Sequence, residues 1–219
     1  MLDLEKAQRM SLTMQVEVSL KSALIVGALR PGARLITKEI ADQLGTSITP
    51  VREALLRLVS SGALNATPAQ AFLVPEMTLE RYQEITQLRK QLEGMAVSAA
   101  SSQMTPERVE ELRALSEAFR EAIMSGNVEQ ALLANRKFRF KIYEYAEMPT
   151  LINLIEQLWV RIGPCCSYLY PENGNIPTEH PGYDDLIEAL ARGDELASLQ
   201  EICKAIDTGA SVLQKQYFS

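Results

Sequence analysis

Histidine is nearly absent from this 219-residue chain, with one instance, His180. That excludes a cage of several imidazoles around a metal and leaves a single residue for histidine-assisted nucleophilic catalysis. Cysteine is scarce as well: three residues, of which Cys165 and Cys166 are adjacent, make no disulfide framework. No apolar run approaches the roughly 20 residues that span a bilayer, and the opening "MLDLEKAQRMSLTMQ" lacks the basic start and apolar stretch of a signal peptide. A cytoplasmic location with no membrane partner is expected. A glycine-rich phosphate loop and a nucleophile motif are also missing. Positive charge is in short supply, the net charge being −6, yet the deficit is uneven. Residues 1–76 carry 8 Lys/Arg against 7 Asp/Glu, while residues 77–219 carry 14 against 21. A near-neutral first part followed by an acidic second part is the pattern of a nucleic-acid reader joined to a regulatory domain.

What is present is helical periodicity in a chain of ordinary globular composition, 47% hydrophobic and 23% charged. From Ser11 to Leu29 the residues Leu12, Val16, Leu20, Leu24 and Ala28 recur near helical spacing, and "RPG" at 30–32 ends the segment with a turn. Thr37 is expected to cap a short helix in which Ile40, Ala41 and Leu44 face inward and Gly45 closes the end. In "TSITPVREALL" (46–56), Thr49 fits an N-cap and Pro50 the first helical position. Val51, Ala54, Leu55, Leu58 and Val59 then form a buried stripe, leaving Ser47, Thr49, Arg52 and Arg57 on the opposite side and the tip. Two short strands, near 63–66 and 72–74, flank a turn around Pro68–Gln70. Three helices and a hairpin within 76 residues predict a winged helix-turn-helix.

After Pro75 the pattern shifts to long helices with short breaks. Thr78 to Ser101 carries the row Tyr82, Ile85, Leu88, Leu92, Met95 and Ala99. Thr105, Pro106 and Gly126 bracket a second helix. Two more helices run from about 128 to 145 and from 148 into "LWVRIGPCC", and a final pair is divided by "ARGD" at 191–194. The expected fold is mainly α: an N-terminal winged helix-turn-helix over 1–76 and a C-terminal all-α antiparallel helical bundle over 77–219.

The stretch from Leu20 to Leu64, with "PGARL", "QLG" and "TPVREAL", resembles the winged helix-turn-helix of the GntR family of bacterial transcription regulators. "LRKQLEGMA", "NRKFRFKIYEYA" and "LIEALARGD" resemble the helical effector (FCD) domain of that family's FadR-type branch, so the resemblance runs from residue 12 to about 214. It implies a homodimeric regulator, with repression as the expected sign, bound to a double-stranded DNA operator. The second short helix would enter the major groove, and Lys38, Ser47, Thr49 and Arg52 fall where the family contacts DNA. Two positions depart from the family pattern: Ile48 stands where an arginine is common, and Gln70–Ala71 where an arginine–glycine pair is usual. Ile48 cannot bond a phosphate or a guanine, though it can sit against a thymine methyl. Fewer cationic contacts imply a flatter salt dependence of binding.

Many domains of this branch hold a divalent metal with an aspartate and three histidines. The corresponding positions are Asn135, Arg139, Tyr183 and Ala205, none of which offers a carboxylate or an imidazole. The expectation is therefore no metal or other cofactor, and a small anionic or polar organic effector held by Arg139 with Arg89, Asn135, Tyr143 and Tyr183, and with Trp159 and Arg161 as further lining. Simpler readings stand beside this one. Arg139 can be bridged structurally to Glu144, Arg89 to Glu93 four residues on, and Trp159 can be core. The alternatives in function are a constitutive DNA-binding protein with a ligand-free bundle, or a cysteine hydrolase using Cys166 and His180.

Overall fold

The computed structural model describes residues 11–68, 71–169 and 182–218. Gln70 and His180 lie outside them. The chain divides into two compact units, residues 1–23 with 31–76, and 24–30 with 77–219.

The first unit contains most of α1 (Leu12–Ile25), β1 (Arg34–Leu35), α2 (Thr37–Leu44), α3 (Ile48–Ser60), β2 (Asn65–Ala66) and β3 (Phe72–Leu73). It is a winged helix-turn-helix. β3 lies between β1 and β2 in an antiparallel sheet, pairing Leu35 and Ala66 with Phe72. The third strand, Arg34–Leu35, is new relative to the sequence reading: β2 and β3 were marked by the turn signals between them, whereas two residues alone leave no periodicity to detect. Val16, Leu20, Ala41, Val51, Ala54, Leu55 and Leu58 form the core with Phe72 and Val74 from the wing. Thr13 Oγ1 donates to Glu53 at 2.8 Å, and Arg57 pairs with Glu17 at 3.3 Å, tying α1 to α3.

Several local expectations shift. α1 ends at Ile25 rather than near Leu29, so Ala28 lies exposed beyond the helix, and Leu12 at the other end is also exposed. Thr37 is the first residue of α2 and Ile36 holds the cap position. Leu44 is exposed. Gly45 does close α2, in the left-handed region at φ 61°, with the Thr46 N–H reaching the Ala41 carbonyl. The cap of α3 is Ser47, which places Thr49 and Pro50 inside the first turn, where the missing proline N–H still costs no helical bond.

The second unit is an all-α bundle of α4 (Leu79–Ser101), α5 (Pro106–Met124), α6 (Val128–Tyr145), α7 (Pro149–Cys166), α8 (Asp184–Ala191) and α9 (Glu195–Gln216), with a 3₁₀ turn at Ser167–Leu169. Thr78, Thr105, Asn127 and Asp194 cap α4, α5, α6 and α9, each side-chain oxygen accepting a first-turn N–H. α4 packs against α6, α7, α8 and α9. Its inward face matches the expected apolar row only at the start: Tyr82 and Ile85 are buried, but Leu88 and Met95 are 46% and 52% exposed, and Arg89 and Glu93 are buried with Ala96, Val97 and Ala100. A charged pair thus occupies the middle of the bundle. Among the described residues no helix is long and apolar enough to cross a membrane.

Candidate functional site

Two places gather the residues singled out above, one in each unit. In the first unit, α3 opens at Ser47, whose hydroxyl makes no capping bond, so its first-turn N–H groups have no side-chain cap. A helix start of this kind attracts anions such as phosphate. Ser47, Ile48, Thr49 and Arg52 are exposed on this turn and the next, and Lys38 is exposed on α2. Lys38, Ile48 and Arg52 line one groove, floored by Phe72 of the wing. Thr67 closes the base of the wing, its N–H and its hydroxyl each 2.9 Å from the Ala71 carbonyl oxygen. Ile36 and Leu56, which the sequence reading passed over, line the same groove.

In the second unit a cavity of about 70 Å³ opens among α4, α6, α7, α9 and the Leu24–Arg30 segment. A single water needs about 10–15 Å³ by the same measure. The four positions matching the branch's metal ligands, Asn135, Arg139, Tyr183 and Ala205, all line it, as do Arg89 and Trp159. Tyr143 and Arg161 are not in its wall.

Behind the wall sits Glu93, fully buried and missed as anything beyond a helical partner of Arg89. Arg89 Nε donates to its Oε1 at 2.6 Å, the Trp159 indole N–H to the same oxygen at 3.0 Å, and the Tyr143 hydroxyl to Oε2. Arg139 Nη2 lies 3.4 Å from Oε2. Arg139 is therefore bridged to Glu93, not to Glu144, which pairs with Lys141. Burial raises the cost of the Glu93 charge, but Arg89 and Arg139 outweigh it and hold the carboxyl below its usual range. Burial likewise opposes the charge on both arginines, and the surrounding Glu93 and tyrosines keep each more firmly protonated than usual. Two guanidinium groups against one carboxylate leave one excess positive charge.

Arg139 is the less closely paired of the two. The residue is 3% exposed, and its Nε and Nη1 have no hydrogen-bond partner among the described residues. Its guanidinium lies between the rings of Trp159 and Tyr183, at 5.9 and 5.8 Å. Tyr183 stacks on Phe138 at 4.1 Å and donates its hydroxyl to Asn135 Oδ1, fixing both side chains. A buried cation with unused donors favours an anion. The donor set does not suit a divalent metal: Ala205 offers nothing, the Asn135 oxygen is already engaged, and Arg139 brings a positive charge of its own. Among the described residues, no three His, Cys, Asp or Glu side chains converge. Cys166 also lines the cavity, but burial pushes its thiol up to about 11, leaving almost no thiolate at neutral pH.

Comparison with known proteins adds to this picture. The family model described as "Bacterial regulatory proteins, gntR family" matches residues 12–74, and that of the "FCD domain" matches residues 84–207. The HTH-type transcriptional regulator McbR of Escherichia coli (strain K12) is 47% identical over 97% of both chains. The solved structure "E. coli McbR/YncC" superposes with a TM-score of 0.91, covering 95% of this chain and all of that one. A GntR regulator structure from Rhodococcus sp. RHA1, at 21% identity and a TM-score of 0.75, shares the fold.

Proposed function

Because this chain belongs to the GntR family of bacterial regulatory proteins with an FCD domain, and is a DNA-binding transcription regulator rather than an enzyme, we propose that it is a cytoplasmic, homodimeric repressor governed by a small organic anion bound without metal. The observation that carries the effector reading is the pair of buried Arg139 nitrogens with no partner among the described residues, in a cavity also lined by Arg89, Asn135 and Tyr183. Tyr143 acts from behind the wall by holding Glu93. An anion there shifts DNA affinity only insofar as it binds one conformation of the regulator better than the other. Leu88 and Met95, seven residues apart and exposed on α4, offer an apolar strip suited to a second copy.

The test is thermal unfolding of the full-length protein against a broad panel of small organic carboxylates. At least one carboxylate is expected to raise the Tm with concentration, EDTA to leave the Tm unchanged, and Arg139→Met to abolish the carboxylate's shift. A silent panel, or stoichiometric zinc or manganese in the purified protein, overturns the reading.

On the DNA side we assign contact to Lys38, Ser47, Ile48, Thr49, Arg52 and Gln70. Thr49 and Arg52 are exposed and outside the core, so the double change Thr49→Ala, Arg52→Ala is expected to leave the melting curve intact. Operator affinity should fall by at least about tenfold, the loss of one good base-edge or phosphate anchor per half-site. Unchanged promoter occupancy in a footprinting assay would remove α3 from the interface.

A further inference from the structure

The outward face of α3 is chemically mixed. Ile48, Arg52 and Leu56 follow one another at four-residue spacing, all exposed, and all line the groove between α2, α3 and the wing. Ile36, just before α2, lines it too. Ile48 and Ile36 are 50% and 38% exposed. A single exposed isoleucine needs no explanation. Two in one groove with Lys38 and Arg52, one of them at the tip of the helix this fold inserts into duplex DNA, do need one. The flanking cations suit the phosphates on either side, and the uncapped first turn of α3 adds N–H donors. In the same groove the Ile48 and Ile36 side chains present no donor or acceptor. In the major groove every base edge presents hydrogen-bonding atoms, and the one apolar group on display is the C5-methyl of thymine.

We propose that Ile48, with Ile36 beside it, reads thymine methyl groups, so that the operator half-site carries thymine beneath the tip of α3. Arg52 anchors the helix alongside, on a phosphate or a guanine edge. Specificity at the tip is then apolar and insensitive to salt, in contrast to a cationic tip.

This inference rests on α3 being the reading helix, and the experiment separates the two. An operator is selected from random duplexes with the full-length protein, and each thymine is then replaced singly by deoxyuridine, which deletes the methyl and nothing else. Affinity is expected to fall about fourfold at one or two positions per half-site, the worth of one buried methyl. Ile48→Ala should lose that sensitivity at the same positions while keeping the rest of the site. Ile48→Arg should also lose it, and should steepen the salt dependence of binding. Ile48 is half exposed, so neither change disturbs the core. The inference is overturned if no deoxyuridine position weakens binding, or if Ile48→Ala remains as sensitive as the parent. In either case, loss of binding by Arg52→Ala shows that α3 still reads the site; if Arg52→Ala also binds normally, the α3 assignment falls with it.

Discussion

Replacing Glu93 with alanine is expected to cost about 3–5 kcal/mol of folding stability, the scale for removing one partner from a buried ion pair. The carboxylate is the common acceptor for Arg89, Arg139, Tyr143 and Trp159. Without it two guanidinium groups face each other in the bundle with no counter-charge, and an indole N–H and a phenol lose their partner. Denaturant unfolding of the purified protein measures the loss as a lower midpoint with little change in slope. The double change Glu93→Met, Arg89→Met should recover part of that loss, since it returns the buried charge to the single excess of the parent. A glutamine at 93 keeps some hydrogen bonds and should be milder. The pH dependence carries a sign as well. The folded-state pKa of Glu93 lies below its ordinary value, so its stabilisation is fully present above the unfolded carboxyl pKa of about 4.3 and is lost as the pH falls through the lower folded value. The parent's stability advantage over Glu93→Gln should hold steady above about pH 5 and shrink in more acid solution. An advantage that instead grew on acidification would mean that the carboxyl is protonated in the native state.

Glu93 also shows where the sequence stops being readable. Helix starts in the second unit were legible because capping is a local matter: Thr105 and Pro106 perform the roles their spacing implied. The inward face of α4 was legible at Tyr82 and Ile85 and not beyond them. Leu88 and Met95 form one apolar row and Ala96, Val97 and Ala100 another, and periodicity cannot choose between them when the buried row also holds Arg89 and Glu93. A charged pair four residues apart looks like a solvated helix surface, and only the partners on α6 and α7 reveal it as buried. Arg139, Asn135, Tyr183 and Ala205 were placed together by family resemblance, and the cavity they share carries that expectation into three dimensions. The start of α3 slipped by two residues because Ser47 and Thr49 are both good caps. The exposure of Ile36 could not be anticipated, since it depends on a strand, Arg34–Leu35, too short to leave a pattern.

Gly163→Ala is expected to cost about 3 kcal/mol or more, at or above the usual range for overpacking. A Cβ at this position would stand 2.3 Å from the Leu24 carbonyl oxygen and 2.5 Å from the Ile25 Cα. Both are backbone atoms, so no rotamer change relieves the contact; either α7 or the Leu24–Arg30 segment must move. The segment has little freedom, because Gly27, at φ 67°, is itself seated against the Ser167 nitrogen and the Gly163 carbonyl. Gly94→Ala is the matched control. That glycine is also helical and buried, in the same unit, but its added Cβ would meet only the Leu199 side chain at 3.5 Å, an ordinary contact. There the higher helix propensity of alanine, about 1 kcal/mol, should act unopposed and leave the variant as stable as the parent or more so. Gly163 also precedes Pro164, whose ring disfavours a helical residue bearing a Cβ before it, so the difference between the denaturation midpoints measures that clash together with the backbone contact to Leu24 and Ile25. Because Ile25 lines the Arg139 cavity, any displacement of its segment should also weaken the carboxylate-dependent rise in Tm, and Gly94→Ala should leave that rise unchanged. Equal midpoints for the two variants would show that the Leu24–Arg30 segment yields to α7 at no cost.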